Sequence, residues 1–427
     1  MRVLVLGSGG REHALVWAVG RSPLTEEVLC APGSAGIEAD ARVLPVELAD
    51  PAAVVALAQS ERADLVVVGP EAPLVGGVAD QLETAGVPVF GPCAEAARLE
   101  GSKAFAKSFM NRHGIPTAAH CVFDAHEAAE RYVEEKGGAL VVKADGLAAG
   151  KGVSVCDDVD AAKRAIHEAM REQRFGEAGT TLVIEECLRG EEASFYALSD
   201  GRDFVCLGAA QDHKRALDGD QGENTGGMGA YSPTPAVDAE IERKIVERIV
   251  RPTLSGMREE GRPYRGVLYV GLMLVDGDPY VIEYNVRFGD PETQALLFRL
   301  ESDLVPLLEA AARGSLGDAE AAQPRFGDPA VCVVLASGGY PRGHATGFAI
   351  EGLEPSPSSS DVKIFHAGTR YEGGTWYTAG GRVLGVTARG ATLARARERA
   401  YAVASSIRFK GVQRRTDIAR RALESER

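Results

Sequence analysis

No stretch of about 18 consecutive apolar residues occurs in the 427-residue chain, so no membrane-spanning helix is expected. Lysine and arginine form no long block and the net charge is −14, which argues against the clustered cations that non-specific nucleic-acid binding requires. The seven cysteines are odd in number, scattered, and contain no C-x-x-C pair. Most lie in apolar, strand-like surroundings, so buried thiols are expected rather than disulfides or zinc ligands, which fits a reducing compartment. The N-terminus enters a strand at once, without a signal-peptide pattern. Also missing are G-x-x-x-x-G-K-[ST], G-x-S-x-G, H-E-x-x-H and any Cys/His nucleophile signature. These absences predict a soluble cytoplasmic protein that binds neither nucleic acid nor membrane, with no internal repeat.

What is present is a glycine-rich chain, with 50 glycines and 45% hydrophobic residues, long enough for roughly three domains. Residues 1–101 alternate short β runs with helical stretches, the rhythm of an open parallel sheet with ligands at the strands' carboxyl ends. The first such loop, Gly7 to His13, is not a dinucleotide fingerprint. Glu12 occupies the third glycine position, and the second strand ends at Ala31-Pro32 instead of in an acid. It leaves a helix N-terminus with free N–H groups, suited to one phosphate. Glu71, between two prolines, is exposed by its turn and accepts from a sugar hydroxyl or faces water.

The tightest local signal is the run 142–153, Val-Lys-Ala-Asp-Gly-Leu-Ala-Ala-Gly-Lys-Gly-Val. A strand delivers Lys143, a loop bearing Gly146, Gly150 and Gly152 follows, and a second strand leads away. That is the form of a flap whose N–H groups close over phosphates; an ordinary hairpin with a glycine-rich turn is the lesser alternative. About forty residues on, 181–192 runs from strand to hinge to strand and can present backbone groups to a base and a carboxylate to ribose hydroxyls.

The run 281–292, Val-Ile-Glu-Tyr-Asn-Val-Arg-Phe-Gly-Asp-Pro-Glu, places Glu283 and Asn285 on one strand face. Two oxygen donors one pleat apart, completed by phosphate oxygens and water, suit Mg²⁺. Arg287 offers a planar fork for phosphate or carboxylate, whereas Asp290 and Glu292 could each cap the following helix. Residues 211–235 read as a long polar loop forming a substrate pocket, and 314–329, poor in large apolar residues, as a linker. A Ser/Pro tract at 354–360 reads as a surface loop.

In order along the chain, 7–14, 68–74, 143–153, 211–215, 224–233 and 287–294, with 336–341 and 380–383 toward the C-terminus, resemble the motifs of the ATP-grasp superfamily, most closely its phosphoribosylamine–glycine ligase family. The resemblance covers essentially the whole chain. It implies an α/β multidomain fold: a Rossmann-like N-terminal substrate domain (1–101), a central ATP-grasp domain (102–313) with a mobile lid (118–190), a linker (314–329) and a small C-terminal α/β domain (330–427). It implies ATP-dependent joining of glycine to 5-phosphoribosylamine through glycyl phosphate, in purine synthesis, by a monomer using Mg²⁺ or Mn²⁺. By motif, Lys103 and Lys143 would hold ATP phosphates under Gly146, Gly150, Lys151 and Gly152; Glu185, Glu186 and Leu188 would line adenine, with Glu192 on ribose. Glu283 and Asn285 would bind the metal. Arg287 and Asp290 would act at the acyl phosphate with Asn224, Thr225, Gly226 and Gly227. Asp212 and Lys214 would serve the substrate pocket, and Gly9, Gly10 and Glu71 would face phosphoribosylamine. The family's superfamily relatives often carry a further acidic metal ligand on the preceding strand, where this chain has Gly271-Leu272-Met273. Another ATP-grasp ligase or carboxylase, an NAD-dependent oxidoreductase and a non-catalytic ATP-binding module are the competing readings.

Overall fold

The computed structural model describes residues 1–148, 152–318, 323–353 and 360–425. Gly150, Lys151 and most of the Ser/Pro tract therefore lie outside the described residues. The first hundred residues build a five-stranded parallel sheet in the order Arg42–Val43, Glu27–Pro32, Arg2–Gly7, Leu65–Val68, Val89–Phe90. Strands one and four in sequence are neighbours, so the strand order reverses between Arg2–Gly7 and Leu65–Val68. Open parallel sheets bind ligands beyond the strands' carboxyl ends at such a reversal, which here lies between the loops at Gly7 and Gly69.

A helix, Lys103–Arg112, leads out of this unit. Ser102 caps it by accepting from Phe105 N–H at 3.0 Å. Four antiparallel strands follow, ordered His120–Phe123, Leu182–Glu186, Leu140–Ala144, Val153–Cys156. The helices His126–Lys136 and Val159–Met170 back them through a separate core including Val133, Val142, Ile166 and Ile184. The base of the glycine run is thus one edge of a small, independently packed layer.

The second sheet has eight antiparallel strands: Asp278–Asn285, Arg265–Val275, Glu191–Asp200, Phe204–Asp212, Gly229–Ser232, Ala330–Ala336, Arg382–Arg389, Val362–His366. Its first two are joined by a tight hairpin with Asp276 (φ 50°) and Gly277 (φ 79°) both left-handed, as their Asp-Gly sequence demands. The last three strands come from the C-terminal part of the chain, so the central and C-terminal parts share one continuous sheet.

Three expectations need correction. Residues 211–235 are not a structureless loop; they contain the end of Phe204–Asp212 and the strands Arg215–Leu217, Gln221–Asn224 and Gly229–Ser232. The described parts of 314–329 are packed: Leu316 is buried and its N–H donates to Asp200 at 2.9 Å, while Phe326 bridges to Leu300. All seven cysteines are free thiols, but Cys30, Cys156 and Cys332 are the buried ones and Cys121 is exposed. Among the described residues no helix is long and apolar enough to cross a membrane.

Candidate active site

A cavity of 640 Å³ opens between the four-stranded layer and the eight-stranded sheet, within the range of small-molecule sites. Lys143, Val153, Val155 and Glu185 line it from the small layer; Asp212, Met273, Glu283 and Asn285 line it from the large sheet. Lys143 and Glu283 share this space closely, since Lys143 Nζ donates to the carbonyl of Ile282 at 2.8 Å.

The cationic wall is built around one buried carboxylate. Glu185 Oε1 lies 3.0 Å from Lys143 Nζ and Oε2 lies 3.0 Å from Lys107 Nζ. Lys107 also donates to Thr117 Oγ1 at 2.7 Å. Burial pulls the Lys107 ammonium down to about 8 although Glu185 opposes the shift. Lys107 sits one turn beyond Lys103 on the same helix face, a spacing visible in the sequence but passed over. Lys103 Nζ donates to Gly146 O at 3.2 Å, and burial likewise lowers its pKa. Asp145, inside the glycine motif, accepts from Ser102 Oγ at 3.1 Å and from Ala104 N–H at 2.6 Å. It therefore ties the flap's base to the helix that presents Lys103.

Opposite stand oxygen donors. Glu283 and Asn285 both reach the cavity. The half-buried Glu283 carboxylate has no hydrogen-bond or ion-pair partner among the described residues, and Asn285 Oδ1 accepts from Arg287 Nη2 at 2.9 Å. A carboxylate so placed beside an amide oxygen suits a hard divalent cation. Among the described residues no group of three or more His, Cys, Asp or Glu side chains could hold a metal ion, so nucleotide oxygens would have to complete the shell. Gly271 pairs with Glu283 across the ladder, and a Cβ there would approach Glu283 Cγ to 2.9 Å. A side chain at that point would have to displace Glu283. Asp212 and Glu292 also bring carboxylates to the cavity, the latter accepting from Tyr269 Oη at 2.7 Å.

Asp212 and Lys214 alternate with His213, so the first two face the cavity while His213 is buried elsewhere, its imidazole held down to about 3 by desolvation. Lys214 Nζ lies 2.9 Å from Glu192 and 3.7 Å from Asp212. Burial raises Asp212 to about 7; Lys214 opposes that, and Glu292, Glu192 and Glu283 add to it.

The far end is a junction of arginines and carboxylates. Arg287 Nε lies 3.2 Å from Glu71 and its Nη2 3.0 Å from Glu100, which also accepts from Val286 N–H at 2.7 Å. Burial would raise Glu71, but Arg287 and Arg11 outweigh it and hold its pKa down. Glu71 is thus an arginine partner opening the helix Glu71–Val75, not a solvent-facing turn residue. Asp290 pairs with Arg382 at 3.1 Å and accepts from Gln294 Nε2 at 2.8 Å. Neither Asp290 nor Glu292 caps the helix Glu292–Phe298, whose N-cap is Pro291.

Gly9 and Gly10 flank the cavity without lining it; Cβ atoms there would come 3.8 and 3.7 Å from the Asp290 carboxylate. The helix start behind them is not a free anion cup. Glu12 turns back, accepts from Gly9 N–H at 2.7 Å and pairs with Arg11 Nε at 2.5 Å. A buried carboxylate already occupies the positive end of this helix. The geometry also explains why Glu12 replaces a glycine: its side chain fills the space beside Gly7 and Gly69, where Cβ atoms would approach it to 2.4 and 2.3 Å.

Of the other expected residues, Glu186, Leu188, Glu192, Gly152, Asn224, Thr225 and Gly226 line the cavity; Gly227 lies just behind it, and Gly146 contributes its carbonyl to Lys103. Sequence reasoning missed Arg11, Glu100, Lys107 and Arg382. Lys107 is legible as one turn beyond Lys103, whereas Glu100 and Arg382 are placed by partners far away in the chain.

Three family models match the chain in order: phosphoribosylglycinamide synthetase N domain over residues 1–100, its ATP-grasp (A) domain over 101–293, and its C domain over 330–421. The phosphoribosylamine–glycine ligase of Allochromatium vinosum is 51% identical over 100% of both chains, and that of Caulobacter vibrioides is 52% identical over 99% of both. The crystal structure of the Thermotoga maritima phosphoribosylamine–glycine ligase superposes with a TM-score of 0.86 at 37% identity, covering 98% of this chain and 100% of that one. A biotin carboxylase from Campylobacter jejuni, at 15% identity and TM-score 0.75 over 97% of this chain and 92% of its own, shares the fold. An ATP-grasp cavity between two sheets, inside matches that span all three domain models, places the chain in the phosphoribosylglycinamide synthetase family.

Proposed function

We propose that the protein catalyses ATP-dependent joining of glycine to 5-phosphoribosylamine, giving glycinamide ribonucleotide, ADP and phosphate in de novo purine synthesis. The observation that carries this reading is the opposition of Lys143 and Glu283 across one cavity. Cations and oxygen donors line the same cavity, where the lysines can meet phosphate oxygens and the donors their counter-ion. A glycine carboxylate oxygen attacks the γ-phosphorus, the bond to the β–γ bridging oxygen breaks, and ADP leaves. The amine of phosphoribosylamine then attacks the glycyl carbonyl carbon, phosphate departs, and the nitrogen loses a proton. Such chemistry needs positioning and charge balance rather than a protein nucleophile.

Adenine fits the apolar end formed by Met110, Ala118, Val141, Val155 and Leu188, with Glu185 and Glu186 at its edge and Glu192 toward the ribose. Lys103 and Lys143 balance phosphate charge, with Gly146 and Gly152 beside them. Glu283 and Asn285 would hold Mg²⁺ or Mn²⁺, which when bound neutralises charge on the phosphate oxygens. Arg287, fixed by Glu71 and Glu100, and Asp290, fixed by Arg382, frame the acyl-phosphate region with residues 224–227. Asp212 and Lys214 lie between this region and the ribose. Gly9, Gly10 and Glu71 border phosphoribosylamine. We take residues 1–101, 102–313 and 330–427 as three working units, 118–190 as the moving lid, and the enzyme as a cytoplasmic monomer.

The deciding experiment follows labelled glycine in the presence of ATP, phosphoribosylamine and Mg²⁺ or Mn²⁺. Label should appear in glycinamide ribonucleotide with stoichiometric ADP, and chelation should stop it. Equal ADP release with bicarbonate in place of glycine would overturn the assignment.

A further inference from the structure

Apart from the pairing of Arg382 with Asp290, two glycine motifs of the C-terminal part, 336–341 and 380–383, have no role in the chemistry above, yet Arg382 brings them to its cavity. Gly381 lies beneath the Tyr340 ring, where a Cβ would come 2.4 Å from Cδ2. Gly368 and Gly380 pack backbone to backbone, a Cβ at 368 reaching Gly380 Cα at 2.6 Å. Ser337 Oγ donates to Gly380 O at 2.8 Å and joins the two motifs. The missing side chains let these loops approach closely, and the approach aims Tyr340 and Arg382 at a single residue, Gly226.

Gly226 N–H donates to Tyr340 Oη at 3.0 Å, and Gly226 O accepts from Arg382 Nη1 at 2.6 Å. The other arm of Arg382, Nη2, meets Asp290 Oδ2 at 3.1 Å. A Cβ on Gly226 would lie 3.0 Å from Arg382 Cζ, so the fork rests directly on the glycine. Thr225 secures the neighbouring backbone, its Oγ1 donating to Lys214 O at 2.8 Å and accepting from Gly227 N–H at 2.9 Å.

We propose that Tyr340 and Arg382 are positioning residues: the C-terminal part of the chain clamps both polar groups of Gly226 and so sets the glycine subsite without touching the nucleotide. This rests on the assignment of residues 224–227 and Asp290 to the acyl-phosphate and glycine region. Arg382 links the two halves of that region, holding the turn with one nitrogen and the carboxylate with another. Tyr340 fixes the turn's remaining free donor.

Tyr340→Phe keeps the ring over Gly381 and deletes only the acceptor; Arg382→Lys keeps a charge beside Asp290 but loses the fork. Steady-state kinetics with each substrate varied in turn, together with thermal unfolding, give the test. Tyr340→Phe should raise KM for glycine about fivefold, the factor expected for one net hydrogen bond, leaving KM for ATP within about twofold and the melting temperature unchanged. Arg382→Lys should raise KM for glycine further, again sparing ATP. An unchanged glycine KM in Tyr340→Phe, or equal rises for glycine and ATP, overturns the clamp. If wild-type enzyme releases ADP with phosphoribosylamine but shows no dependence on glycine, the functional assignment fails, and the clamp with it.

Discussion

Glu185→Ala should leave two buried ammonium groups without their shared counter-ion. Glu185 and Lys107 side chains are each 3% exposed and Lys143 is 7% exposed, with both ion pairs at 3.0 Å. At an effective dielectric constant of about 20, one such pair is worth about 5 kcal/mol of Coulomb attraction before desolvation is counted. Deleting one partner of a buried pair costs about 3–5 kcal/mol, because the surviving charge stays buried. Lys107 retains Thr117 Oγ1 and Lys143 retains the Ile282 carbonyl, which argues for the lower end, about 3 kcal/mol. In a unit of about 200 residues that lowers the melting temperature by about 6–12 °C. The loss should depend on pH. Burial already depresses Lys107 to about 8 with Glu185 in place, and removing the carboxylate depresses it further. A lysine whose folded pKa lies below its unfolded value makes the unfolded state the better proton binder between the two, so stability rises with pH across that window. Melting curves of both proteins at about pH 7 and about pH 9.5 should show the gap shrinking at the higher pH. A drop of less than about 2 °C at neutral pH, or a gap that does not shrink, would refute the reasoning.

Glu283→Ala should cut turnover at least about tenfold while leaving the melting temperature in place, since this carboxylate has no ion pair among the described residues to lose; a rate comparable to wild type removes Glu283 from the metal site. Asp212, raised by burial to about 7 from an unfolded value of about 3.9, binds its proton more tightly when folded, so its contribution to stability is full below about pH 4 and fades as pH climbs to about 7. Asp212→Asn lacks that decline, and its melting temperature relative to wild type should improve between about pH 5 and about pH 8; a constant difference contradicts the shift. Gly36→Ala should destabilise by about 1–3 kcal/mol through overpacking, because the new Cβ would lie 2.1 Å from His366 Cβ; an unchanged melting curve would show that the N-terminal and C-terminal parts yield there at no cost.

What the sequence made legible was local. Glu283 and Asn285 declare their common face because a pleat is set by residues two positions apart, and the Ser102 cap and the Asp276-Gly277 hairpin are equally local. Residues 211–235 were misread because their short strands carry no hydrophobic alternation; they pair through backbone, as Gln211 with Tyr231 and Arg215 with Asn224. Long-range charge pairing was equally hidden. Arg382 meets Asp290 across 92 positions and Arg287 meets Glu71 across 216, separations at which spacing carries no information. Glu12 was seen as a missing glycine, but not as the group that fills the helix start it vacated.

The eight-stranded sheet gives the segment between residues 314 and 329 an unusual status. Gly229–Ser232 and Ala330–Ala336 are adjacent in the ladder, so cutting the chain at that segment parts two halves of a zipped edge. Each fragment would be left with bare backbone donors and acceptors along a flat, apolar border, an invitation to self-association. What looks like a detachable appendage is the far end of the nucleotide-binding platform, and the two halves should be recovered intact only when produced together.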